Sequence, residues 1–166
     1  SLSGSPAAGP KLWQPVQPDA VGAEFTRPGP KPETALFVKL NHAALKSHLA
    51  RAATETARAP HHEPATLSLP LPDGTEAEFQ FVESPVLAPE LAARFPEIKT
   101  YAGWSAASPA ASVRFDSTPA GFHAQILSPH GAVYIEPFGP AETNLHVCYY
   151  KRDCRPPAAA FQCLTP

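Results

Sequence analysis

From Ala111 to Tyr149 an apolar residue recurs at every second position in four runs, each followed by a break. Ala111, Val113 and Phe115 alternate with Ser112, Arg114 and Asp116. Phe122, Ala124 and Ile126 alternate with His123 and Gln125, and Val133 and Ile135 with Tyr134 and Glu136. Leu145, Val147 and Tyr149 resume the pattern after Pro140. Side chains of a strand point to opposite faces in turn, so each run has one face to bury and one to leave in water. The turns Thr118-Pro119-Ala120-Gly121 and Ser128-Pro129-His130-Gly131 allow only a return alongside the strand just made. The chain is thereby committed to an antiparallel meander.

The preceding residues extend the sheet. Thr66 to Leu71 alternates, Pro72-Asp73-Gly74 is a turn, and Ala77, Phe79 and Phe81 alternate with Glu78 and Gln80. This is a hairpin, and Pro70, with no N–H to give a ladder, places its first strand at an edge. Ala35–Leu40 reads as a strand and Asn41 as the N-cap of a helix over His42 to Ala53, with Leu45, Leu49 and Ala52 as its apolar stripe. Pro89 opens a second short helix with the pair Leu91 and Phe95, and Pro96 ends it. Ile98 to Trp104 reads as a further short strand. The expectation is an α+β, mostly antiparallel β domain: a sandwich or partly closed barrel of about seven strands, with two short helices.

Seven of the 22 prolines fall in residues 1–34, among several glycines. Such a stretch buries too little apolar surface to offset its ordering entropy, so it reads as a flexible or extended arm that Trp13 anchors to the domain surface. The domain then covers residues 35–153, and 154–166 form a tail. A net charge of −2 offers no basic patch for nucleic acid. No apolar run approaches the roughly 20 residues of a membrane span.

The search for chemistry turns first to the seven histidines. His42 and His48 are six positions apart and sit on different sides of a helix, unlike the i, i+4 pair of a zinc-protease helix. His61 and His62 lie in a Pro-flanked loop. His123, His130 and His146 fall on the polar parity of strands or in a turn. No Gly-x-Ser-x-Gly elbow follows a strand, and no two carboxylates form an acid–base pair. The three cysteines, Cys148, Cys154 and Cys163, lie in the last 19 residues. Cys154 and Cys163 flank Pro156-Pro157, which can turn the chain and let them meet in a disulfide. The alternative is a reactive or metal-binding thiol at Cys163. Cys148 has the parity opposite to Leu145, Val147 and Tyr149, which reads as packing against another layer or plain burial.

Several ordered segments carry a likeness. They are Leu69-Pro70-Leu71-Pro72-Asp73-Gly74, the run from Val82 to Ala92, and Phe95-Pro96-Glu97-Ile98-Lys99-Thr100-Tyr101-Ala102-Gly103. Ser112-Val113-Arg114-Phe115-Asp116, Gly121-Phe122-His123-Ala124 and Val133-Tyr134-Ile135-Glu136-Pro137 belong to the same set. Together they resemble the amino-terminal pro-region of secreted bacterial reprolysin-like, ADAM-related zinc metallopeptidases. The last segment also resembles the Tyr-x-Ile-Glu-Pro strand in pro-regions of the animal ADAM and snake-venom enzymes.

The resemblance implies a pro-domain over residues 35–153. It would assist the folding of a downstream protease and keep it latent by occluding its cleft, with residues 154–166 leading toward that protease. It also implies that Cys163 ligates the catalytic zinc of the partner in trans, although Leu164 stands where the family's switch has Gly. Zinc is thus expected in the partner and no cofactor in this chain. The chain is expected to be no enzyme itself, and to be secreted after removal of a signal peptide ahead of Ser1. The other reading is a stand-alone β-rich module for glycan or protein, with Tyr101 and Trp104 as its exposed aromatics.

Overall fold

The computed structural model describes residues 11–17, 32–54, 64–139 and 142–154. Among these described residues nine strands form one antiparallel sheet: β1 (Trp13–Val16), β2 (Leu36–Leu40), β3 (Ala65–Pro70), β4 (Glu76–Glu83), β5 (Lys99–Ser105), β6 (Ser112–Thr118), β7 (Gly121–Ser128), β8 (Gly131–Gly139) and β9 (Glu142–Tyr150). Helix α1 (His42–Leu49) links β2 to β3, and α2 (Pro89–Arg94) links β4 to β5. Their order in the sheet is β1-β2-β9-β8-β7-β6-β5-β4-β3. The mostly antiparallel α+β class is as expected, with nine strands rather than about seven. The further short strand read at Ile98–Trp104 is β5, and the proline-rich amino-terminal stretch adds β1, which the sequence reading did not include.

The meander forms for the reason given by its alternation. Gly121 and Gly131 take positive φ angles of 126° and 119° in the two turns, a region closed to most side chains. Asn41 caps α1 by accepting from the Ala44 N–H at 3.0 Å, but the helix ends at Leu49 rather than Ala53. Pro70 lies at the sheet edge, as its missing N–H requires.

The sheet curls until its two edges face each other, so the partly closed barrel is realised and the sandwich is not. A row of aromatic rings crosses the interior: Phe81 to Phe115 at 5.3 Å, Phe115 to Phe122 at 5.6 Å and Phe122 to Trp13 at 5.4 Å. Among the described residues edge strand β3 has no second ladder. Instead, alternate carbonyls on its open side accept from side chains of three different elements. His48 Nδ1 of α1 reaches the Thr66 oxygen at 3.2 Å, Trp13 Nε1 of β1 donates to Ser68 at 2.9 Å, and Cys148 Sγ of β9 donates to Pro70 at 3.2 Å. The seam is thus closed by side chains, which protects an edge that would otherwise invite pairing with another chain.

Two expectations are corrected here. Trp13 does not anchor an arm to the surface; it is 1% exposed and part of the core. His146 is not on a solvated face. In β9 the apparently polar parity of His146 and Cys148 is the barrel interior, and both are wholly buried. Leu145, Val147 and Tyr149 face outward into a second apolar cluster with Phe138, packed by Phe37 and Tyr134. β9 lies between β2 and β8 and is buried on both faces, so alternation alone does not identify its inner side.

Close strand packing makes Gly103 irreplaceable. A Cβ there would stand 2.6 Å from the Gln80 carbonyl oxygen and 2.9 Å from Val113 Cγ1. Backbone on a neighbouring strand cannot swing aside, so Gly103→Ala is expected to destabilise the domain by about 1–3 kcal/mol. Urea denaturation checks this against Gly139→Ala, where nothing lies within 4 Å and the change should stay within about 0.5 kcal/mol.

Candidate functional site

The outer faces of β6, β7 and β8 carry the side chains that the core parity leaves behind. Arg114 and Asp116 come from β6, His123 and Gln125 from β7, and Tyr134 and Glu136 from β8. The tight turn at Thr118–Gly121 sets the register, so Asp116 pairs across the strands with His123, and Arg114 with Gln125. In the next ladder Gln125 pairs with Tyr134. With Thr100 of β5 and Val86 at the lip, these residues bound a depression of ≈ 320 Å³.

Its polar groups are linked to one another. His123 Nδ1 bonds Asp116 Oδ1 at 3.1 Å, which leaves Nε2 for any outside contact. The Asp116 hydrogen bond raises the His123 pKa above the ordinary imidazole value; burial opposes this, and the charges of Asp116 and Glu136 add to it. Both members of the pair are more than a third exposed, so water screens the interaction. Gln125 Nε2 donates to the Tyr134 hydroxyl at 3.2 Å, and the Tyr149 hydroxyl donates to Glu136 Oε2 at 3.0 Å. The Tyr134 and Tyr149 rings lie 5.9 Å apart. Arg114 makes no hydrogen bond or ion pair among the described residues and lines the same depression as the imidazole. This is a mixed-charge face on a rigid sheet, suited to polar recognition. Among the described residues no three His, Cys, Asp or Glu side chains are grouped to hold a metal ion.

Beside the depression, the connection from β4 to β5 is apolar and outward. Val86 is 69% exposed, Leu91 43% and Phe95 41%, and α2 buries none of its residues. A Lys99–Glu83 ion pair at 2.6 Å and the Thr100 hydroxyl, donating to the Ser84 carbonyl at 2.6 Å, tie the base of this connection to the sheet.

The sites expected from sequence fall elsewhere. Cys163, both as zinc ligand and as disulfide partner of Cys154, lies outside the described residues, as do His61 and His62. Cys154 forms an isolated bridge with Pro32 and packs against the outer apolar cluster. Cys148 is inert: burial pushes its thiol up to about 12, far from a reactive thiolate. His42 and His48 each face a backbone carbonyl, of Thr143 at 2.9 Å and Thr66 at 3.2 Å. Tyr101 and Trp104 do not form an exposed pair. Tyr101 is 5% exposed and stacks on Phe115 in the core at 4.8 Å, while Trp104 is half-buried and donates to Gln80 Oε1 at 3.1 Å. They are three positions apart in one strand, so they stand on opposite faces. The Asp116–His123 pair had a signal in the length of the β6–β7 turn; the exposure of Val86, Leu91 and Phe95 had none, since an apolar helix pair reads as core.

No helix among the described residues is long and apolar enough to cross a membrane. Comparison with protein-family models, with curated proteins and with solved structures finds no match.

Proposed function

We propose that this domain works by binding another protein domain, as the pro-region of a secreted reprolysin-like zinc metallopeptidase that it helps to fold and keeps latent. The observation that carries the reading is the exposed apolar connection Val86–Phe95 beside a mixed-charge face, on a barrel whose interior is already filled. Large apolar side chains held outward by a rigid frame are what a protein interface uses, with a polar rim around them. The same connection lies within the segments whose sequence resembles the pro-region. Occlusion of the protease cleft is then the work of this surface. A thiolate from Cys163 would take the zinc position that the attacking water needs.

The test is inhibition of the matching mature protease by this chain in trans, beside Cys163→Ser and Leu91→Asp/Phe95→Asp versions. Under the proposal the parent chain inhibits, and the double aspartate variant loses at least about tenfold in affinity, since two apolar anchors are removed. A further loss in Cys163→Ser assigns part of the latency to the thiol; no change there leaves it to occlusion. If the parent does not inhibit, the pro-region reading falls and a stand-alone module for protein or glycan takes its place.

A further inference from the structure

The barrel seam contains a buried imidazole that the binding surface does not use. His146 is 0% exposed, on β9 between Val38 of β2 and Pro137 of β8. Its ring lies edge-on to Trp13 at 5.7 Å and to Phe122 at 6.2 Å. Nδ1 faces the Asn144 carbonyl at 3.3 Å, while Nε2 has no hydrogen-bond partner. A neutral imidazole tolerates this; an imidazolium in an apolar cage does not. We propose that His146 is a proton-operated latch on the seam: when the ring takes up a proton, Trp13 and strand β1 leave the barrel while the rest of the sheet stays folded.

The surroundings favour that outcome over other responses. The titratable groups that bear on His146 are His42 from α1 and His123 from β7, both bases, and each disfavours a further positive charge when protonated. Trp13 of β1 and Phe122 of β7 are uncharged, as are its cross-strand neighbours Val38 and Pro137. Lys39 and Glu136, adjacent to those neighbours on β2 and β8, alternate to the outer face. Among the described residues no carboxylate is therefore counted with the charged groups that act on the ring. Burial holds the ring's pKa down to about 4, with the Asn144 carbonyl pulling the other way and the Phe122 backbone pulling slightly with it without reaching hydrogen-bond geometry.

The element able to give way is β1. It has four residues, including Pro15, which donates nothing to the ladder with β2. Its bond across the seam is the indole N–H to Ser68. The His146 backbone, by contrast, is held on both sides by β2 and β8. Moving β1 away opens a path for water to the imidazolium without breaking the central meander. The latch follows from the fold and stands whichever partner the outer surface takes.

The chain has two tryptophans, so a Trp104→Phe background leaves Trp13 as the sole indole. Acrylamide quenching of that indole is followed with far-UV circular dichroism as the pH is lowered. The expected result is a rise of at least about threefold in the quenching constant between about pH 6 and 4, with the sheet signal retained, and its loss in His146→Phe. Three results would overturn the latch: an indole protected throughout, exposure coinciding with loss of the sheet signal, or exposure at the same pH in His146→Phe. Should that variant not fold, histidine NMR of the parent decides. His146 must take its proton in step with the exposure of Trp13, and a ring still neutral after exposure overturns the proposal.

Discussion

Replacing Trp13 by alanine is expected to lower the unfolding free energy by about 3 kcal/mol, the low end of the range for removing a fully buried tryptophan, because release of β1 from a folded sheet caps the loss. The residue is 1% exposed, and it joins elements far apart in sequence. Its ring packs on Phe122 of β7 and His146 of β9, and its N–H satisfies Ser68 of β3 across 55 positions of chain. Alanine leaves a cavity at the seam and an unpaired carbonyl on an edge strand. Trp13→Phe separates the two effects: most of the ring volume stays and the N–H goes, so the expected loss is about 1–2 kcal/mol. Urea midpoints at constant slope measure both. A loss under about 1 kcal/mol for the alanine variant would mean that β1 is an ornament on a barrel closed by other contacts.

The second large effect is a fall in stability on acidification, traced to His146. In the unfolded chain this imidazole has its ordinary value near 6.5; in the fold, burial pushes it down to about 4. Between those values the unfolded state binds the proton and the folded state does not, so unfolding gains as the pH falls. The full contribution is present above the unfolded pKa. It drains away through the window down to the folded pKa, by about 3 kcal/mol at most. His123 runs in the opposite direction, because its pKa is raised by Asp116, and its pair is strengthened by acid and weakened as pH rises. That pair is well exposed, so His146 decides the sign. Unfolding free energies at about pH 7 and 4, in the parent and in His146→Phe, provide the check. The acid loss should shrink by most of that amount in the variant; equal losses in both chains would assign it to other groups.

Local pattern determined the strands. The runs from Ala111 to Ile135 are solvated on one face, so their alternation, the turn glycines and Pro70 at the edge all point to the same answer, and β3, β4, β6, β7 and β8 follow from them. Asn41 and Pro89 likewise announced their helices, since a cap or a proline acts on its nearest neighbours. The Asp116–His123 pair is legible in the same way, once the turn length sets the register.

What the tertiary structure alone decided is where the sheet's two ends meet. Trp13, in a proline-rich stretch with no periodicity, becomes core because the curl of the sheet brings β3 opposite β1. Leu145, Val147 and Tyr149 turn outward, and His146 inward, because β9 is covered on both sides and its inner face is chosen by its partners β2 and β8. Leu91 and Phe95 stay exposed because no described element packs back over α2. Alternation and turn chemistry act over a few residues and are written locally. Closure of the barrel is a balance among contacts dozens of residues apart, and no single segment of the chain carries it.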